Sequence, residues 1–238
     1  MSLSRYGVIV AARTGSRRLP GKALLPLADQ PSIAFLLNRL KASREAAYIV
    51  LATTTLAQDD ALAACAADCG IPVFRGAGED VVARFVDCTT AHPCDYALRV
   101  TGDCPFLDAE SLDFFIQACR GEESYDLAST KTLWPVGIDY EAYPAARMAE
   151  LNATTDLRAD DREHLTKYLY DRPEQFRICR IAPPAGYSRA VPPLTLDTPD
   201  DYVFMTQLAQ TMGPWASTHS VIAHLQAAGM PNAAGGHS

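Results

Sequence analysis

No apolar run in the 238 residues approaches the roughly 20 needed to span a bilayer, so no membrane helix is expected. The opening residues, Met1 to Arg5, lead straight into a short apolar stretch without the hydrophobic region of a secretory leader, which points to the cytoplasm. There is no low-complexity tract and no internal repeat. Positive charge is in deficit: 21 Lys and Arg stand against 28 Asp and Glu, a net charge of -7. That balance argues against a nucleic-acid backbone or an anionic membrane as the main partner. The seven cysteines are scattered singly, and Cys65 and Cys69 have no second pair at zinc-finger spacing. An odd count without a leader predicts reduced thiols. Two familiar phosphate loops are also missing. Five residues separate Gly15 from Gly21 and Ala23 follows Lys22, which is not a Walker loop. No G-x-G-x-x-G follows the first apolar run.

What is present is a chain that is 48% hydrophobic, enough for a sizeable core. Short, nearly continuous apolar runs at Tyr6–Val10, Tyr48–Thr53, Pro72–Phe74 and Tyr96–Val100 read as strands. Helical spacing separates them, from Ile33 to Leu40, Asp59 to Cys69 and Glu79 to Thr90. The alternation predicts an α/β fold with a mainly parallel sheet covered on both faces, whose ligand sits at the carboxyl ends of the strands. Further along, Ser111–Gly121 reads as a helix, Tyr125–Thr130 as a strand, Asp160–Asp171 as one helix and Phe176–Ile181 as a strand. Asp200–Thr211 reads as the final docking helix, and Ala227–Ser238 as a frayed tail. The stretch Trp134–Glu141 breaks the rhythm.

The first strand ends in Ala11-Ala12-Arg13-Thr14-Gly15-Ser16-Arg17-Arg18-Leu19-Pro20-Gly21-Lys22. Four cations crowd a loop whose two glycines let the backbone turn tightly and approach a ligand. Such a loop is either a polyanion site, with a nucleoside triphosphate the obvious polyanion, or a solvated basic surface. Asp103 follows the fourth strand in a glycine-containing turn, as a magnesium ligand or as a cap. Asp197 is placed similarly before the helix that starts near Pro199, although Thr198 is the better-placed cap there.

The loop resembles the signature A-R-x-G-S-x-R-L-P-G-K of the spore coat polysaccharide biosynthesis protein F family, and Ala12 to Lys22 fits it at every specified position. That family is related to the 3-deoxy-manno-octulosonate and acylneuraminate cytidylyltransferases. Arg99-Val100-Thr101-Gly102-Asp103-Cys104-Pro105 resembles its R-x-T-x-D-x-P, and Leu194 to Asp201 its L-T-V-D-x-P-E-D. Arg75, Gly76 and Asp80 match R-G-x-x-x-D-V; Pro135, Gly137 and Glu141 match P-x-G-x-x-x-E; Arg162 to Thr166 resembles R-E-H-V-T.

The resemblance implies a single domain of the Rossmann-like, three-layer nucleotide-diphospho-sugar transferase fold, with an irregular acceptor or dimer segment around 131–166. It implies magnesium-dependent transfer of CMP from CTP to a sugar acid or related acceptor, with release of pyrophosphate, for cell-surface polysaccharide or glycoconjugate synthesis. Arg13, Arg18 and Lys22 would hold the phosphates, with Ala11, Ala12, Gly15 and Ser16 adding contacts, and Thr53, Arg75 and Thr101 would lie near the nucleotide. Arg13, Lys22 and Asp103 would carry catalysis, and Asp103 with Asp197 would hold Mg2+. Arg99, Glu141, Glu163 and His164 would face the acceptor, and the chain would form a homodimer. Arg75 and Asp80 fit equally well as a structural Arg–Asp pair. Trp134, Tyr140 and Tyr143 are expected in the core or at a subunit contact, with stacking on a ligand as the other reading.

Other readings stay open on sequence. Uracil or guanine as the base fits the same loop as cytosine, and another sugar or a small phosphate or phosphonate fits as the acceptor. A glycosyltransferase-like protein would carry D-x-D, whose first acid Thr101-Gly102-Asp103 lacks. A non-catalytic descendant would have lost the site, and Arg13, Lys22 and Asp103 argue against that.

Overall fold

The computed structural model describes residues 3–230. In chain order the elements are β1 (Tyr6–Ala11), β2 (Pro26–Leu27), β3 (Gln30–Pro31), α1 (Ser32–Leu40), β4 (Ala46–Thr54), α2 (Asp60–Asp68), β5 (Val73–Gly76), α3 (Val81–Ala91), β6 (Tyr96–Thr101) and α4 (Ala109–Arg120). There follow β7 (Leu127–Ser129), β8 (Glu141–Pro144), α5 (Ala145–Thr154), α6 (Ala159–Glu163), α7 (Lys167–Tyr170), β9 (Ile178–Arg180), α8 (Pro199–Met212) and α9 (Thr218–Ala227).

Seven strands form one sheet in the order β5-β4-β1-β6-β8-β7-β9. All its neighbours pair in parallel except β8, which runs antiparallel between β6 and β7. Strand alternation sends side chains to two cores. Val8, Val10, Leu51, Leu98 and Val100 pack on one face with α1, α4, α8 and α9. Ile9, Val50, Ala52 and Ala97 pack on the other with α3 and α5. The mostly parallel three-layer fold is therefore as expected. No helix among the described residues is long and apolar enough to cross a membrane.

The second half departs from the sequence reading in several places. The helix expected over 160–171 is two short ones, because Leu165 and Thr166 turn inward between α6 and α7 and are 2% and 3% exposed. Helices α5 and α9 were not anticipated, so α8 is not the last; α9 is capped by Ser217, whose side chain accepts from the Ser220 amide. Of the expected tail, Ala227 closes α9 and residues 231–238 lie outside the described residues. The irregular stretch contains β8, and Trp134, Tyr140 and Tyr143 are core side chains, at most 1% exposed. Trp134 Nε1 donates to the Ile181 carbonyl at 3.0 Å, so its polar atom is satisfied inside the fold and the ring does not face a ligand.

Gly137 explains how this stretch braces the C-terminal part. Its φ of 88° is open to glycine, and a side-chain carbon there would collide with the Leu194 carbonyl. The Leu194 amide in turn donates to the Val136 carbonyl at 2.9 Å. The segment that carries Asp197 is thus laid against the 134–137 turn.

Candidate active site

The site forms where β1, β4 and β6 end together. After β1 the chain loops out from Ala12 to Gly21. The Thr14 carbonyl accepts from the Ser16 amide at 2.9 Å and the Gly21 amide at 3.1 Å, which closes the loop on itself. Gly21, at φ 67°, reverses the chain into a 3-10 turn over Lys22–Leu24. This reversal brings Lys22 back across the strand ends.

Lys22 Nζ donates to Asp103 Oδ2 at 2.6 Å and to Asp197 Oδ1 at 2.8 Å. Asp103 stands two residues beyond β6, and Asp197 in the extended segment before α8. The Leu196 amide donates to the Asp103 carbonyl at 2.8 Å, which fixes the two acidic residues side by side. Arg18 Nη2 lies 3.0 Å from Asp197 Oδ1. Burial alone would raise the Asp103 carboxyl, but the Lys22 ammonium outweighs it and holds the acid below its ordinary range. Burial would likewise lower Lys22, yet the two carboxylates keep its ammonium above its ordinary value. Thr198, with Asp201, caps α8, which leaves Asp197 free of capping and available to the site.

A cleft of about 1060 Å³ opens over this cluster. Its walls include Ala11, Ala12, Arg13, Gly15, Ser16, Arg18, Lys22, Arg99, Thr101, Asp103, Glu163, His164 and Asp197, so most of the residues picked from sequence share one cavity. Arg13 Nη2 lies 3.5 Å from Glu163 Oε1 across the mouth. His164 is exposed, with Nε2 3.6 Å from Asp160 Oδ1.

Three residues picked from sequence do not line the cleft. Thr53 is fully buried, and its hydroxyl finds no partner among the described residues; the next residue, Thr54, reaches the wall instead. Arg75 ties strand ends together, donating to the Thr54 carbonyl at 2.8 Å and the Leu56 carbonyl at 2.9 Å, with Asp60 at 2.6 Å as its acid. Its partner is therefore not Asp80, which caps α3 and pairs with Arg162 at 2.8 Å.

Glu141 lies beneath the wall, 1% exposed. Arg99 Nη1 donates to it at 2.7 Å, Tyr170 Oη at 2.8 Å and Thr166 Oγ1 at 3.1 Å, and Lys131 Nζ lies 3.0 Å away. Burial raises this acid, but Arg99 and Lys131 outweigh it and hold the carboxyl down at about 2. Arg99 lines the cleft while Glu141, its acid, stays behind it.

Several wall residues escaped the sequence reading, among them Leu56, Gln58, Gly78 and Arg84. Leu56, Gln58 and Gly78 follow β4 and β5, at whose carboxyl ends such sheets bind ligands, whereas Arg84 sits within α3 and carried no such mark.

The two carboxylates at Lys22 suit a hard divalent cation, being oxygen donors already gathered about one positive charge. Among the described residues no group of three or more His, Cys, Asp or Glu forms a metal cluster. A cation here would complete its shell from phosphate oxygens and water, as magnesium prefers.

A sequence profile of the cytidylyltransferase family matches residues 7–220. The chain is 34% identical over 212 residues to the spore coat polysaccharide biosynthesis protein SpsF of Bacillus subtilis, covering 86% of each. It is 32% identical over 124 residues to a 3-deoxy-manno-octulosonate cytidylyltransferase of an Anaeromyxobacter species, spanning 50% of this chain and 48% of that one. The structure superimposes on a cytidylyltransferase from Leptospira borgpetersenii with a TM-score of 0.85, at 27% identity, over 98% of this chain and 100% of the other.

Proposed function

The chain belongs to the cytidylyltransferase family, and we propose that it moves CMP from CTP to a hydroxyl of a sugar acid or related acceptor, for cell-surface polysaccharide synthesis. In this reaction the acceptor oxygen bonds to the α-phosphorus, the bond from that phosphorus to the β-phosphate oxygen breaks, and pyrophosphate leaves. One observation carries the proposal: Lys22 bridges Asp103 and Asp197 at the strand ends, beside the Arg13–Arg18 loop.

The loop holds the triphosphate through Arg13, Arg18 and Lys22, with Ser16 and its neighbouring amides as further donors. Lys22 is held by two carboxylates and largely buried before any ligand arrives, so little reorganisation opposes charge stabilisation as pyrophosphate departs. Asp103 and Asp197 would hold magnesium, which supplies charge neutralisation at the phosphates when bound. Arg99, held by Glu141, would meet the acceptor in the same cleft. Glu163 and His164, also on its wall, would orient the acceptor hydroxyl and take its proton. A homodimer belongs to the same proposal.

A thermal-shift panel of CTP, UTP, GTP and ATP, each with and without magnesium, tests the base and the metal together. A CTP-selective shift that grows with magnesium is expected, because a ligand bound to the native state raises its apparent stability. A shift selective for another nucleotide would replace the base, and no shift at millimolar nucleotide would remove the reading.

A further inference from the structure

We propose that Asp59 is a positioning residue for the Thr14–Lys22 loop: it holds the loop to the sheet in the shape that presents Arg13, Ser16 and Lys22, without touching the ligand. This rests on the reading of that loop as the triphosphate site.

Asp59 stands at the N-cap position of α2, but a 3-10 turn over Ala57–Asp59 runs straight into the helix, so its backbone lacks the extended shape from which an aspartate accepts from the helix's own amides. Its side chain makes no such bond. It turns away from the helix, and Oδ1 accepts from the Thr14 amide at 2.8 Å and from Thr14 Oγ1 at 2.6 Å. Oδ2 accepts from Thr54 Oγ1, at the end of β4. Asp59 is fully buried, and no cation lies within ion-pair distance of it among the described residues. A buried carboxylate with no cation paired to it is costly unless hydrogen bonds satisfy it, so its three donors are what keep it in place. Burial raises its carboxyl, but the bonds from Thr14 and Thr54 prevail and hold it below the ordinary range.

The donors define the role. Two of the three come from Thr14, and the Thr14 carbonyl is the acceptor that closes the loop through the Ser16 and Gly21 amides. Fixing Thr14 therefore fixes both ends of the loop, with Arg13 just before it and Lys22 just after. The third donor, Thr54, lies on β4 and on the cleft wall, so Asp59 ties the loop to the sheet.

Limited trypsin digestion of the full chain without nucleotide reads the loop directly, because Arg17 and Arg18 are exposed in it. In Asp59→Asn the carboxylate charge is lost, and cleavage after Arg17 and Arg18 should quicken about tenfold, as it follows the open fraction of the loop. Cleavage after Arg158, on the far side of the cleft, should keep its wild-type rate. Calorimetry with CTP should show a Kd raised about tenfold in the same variant, with cytidine binding unchanged. Thr14→Val removes one of the three donors from the loop side. It should show the same pattern more weakly, and it serves alone if Asp59→Asn does not fold.

Unchanged cleavage at Arg17 and Arg18 in both variants would overturn the proposal. So would a lowered melting temperature with cleavage raised equally at Arg158, which is the pattern of a merely structural residue. Faster loop cleavage in a chain whose wild type binds no nucleotide would uphold the positioning role and remove the nucleotide reading instead.

Discussion

Lys22 and Asp197 are 175 positions apart in the chain and 2.8 Å apart in the fold. Between them they define what the site can do: a fixed ammonium set among carboxylates at the edge where four parallel strands end. Replacing Lys22 by Ala removes the charge proposed to meet the departing phosphates. Turnover should fall about 10²-fold, the usual cost of one preorganised donor. Calorimetry should show CTP affinity falling while cytidine affinity holds. Equal loss of both would mean that the fold, not the phosphate contact, had changed.

Asp103→Asn keeps the shape of the side chain and most of its hydrogen bonding. The melting temperature should stay within a few degrees of wild type. Pyrophosphate release in saturating CTP should drop about 10²-fold or more, and the magnesium needed for half-maximal rate should rise. Unchanged turnover would take Asp103 out of the mechanism.

Glu141→Gln leaves Arg99 and Lys131 without their buried acid. A loss of about 3 kcal/mol is expected from urea unfolding at pH 7, as for other broken buried pairs. The sign with pH is fixed by the depressed carboxyl. Its stabilisation is complete above the ordinary 4.5 and fades as pH falls from there toward about 2. The gap between wild type and variant should therefore narrow between pH 5 and pH 3, measured at matched ionic strength. A gap that stays constant over that range would show that the charge contributes nothing.

Gly137→Ala puts a side chain in the left-handed region and against the Leu194 carbonyl. It should cost roughly 2 kcal/mol or more. Since the Leu194 segment leads to Asp197, turnover at low magnesium should fall more than turnover at high magnesium. Metal titrations of both proteins below their melting temperatures test this.

The nucleotide side of the fold was legible because each strand there is a short apolar run followed by a distinctive loop. Val8 to Val10, with the cations behind them, is the clearest case. Thr53 shows where such reading stops. Strand β4 is buried on both faces, so its pattern does not alternate, and nothing in it says whether Thr53 or Thr54 meets the cleft. Arg75 found its acid in Asp60, across a turn whose geometry no spacing reveals. Helix α9 lies outside the sequence reading although Val221, Ile222 and Leu225 carry helical spacing, since that reading takes Asp200–Thr211 as the final helix and assigns nothing between it and the tail at Ala227. Asp59 read as an ordinary helix start, and only its turned side chain shows otherwise.

The bond from the Leu196 amide to the Asp103 carbonyl joins the last fifth of the chain to a turn formed by its first half. It sets an order of events in the making of the enzyme. A nascent chain can assemble β1, β4, β5 and β6 and shape the basic loop while the Asp197 segment is still in the ribosome. Until that segment emerges and docks, Lys22 has one acid beside it instead of two. The Lys22 cluster is thus completed late in the chain, just before the two helices, α8 and α9, that pack after it.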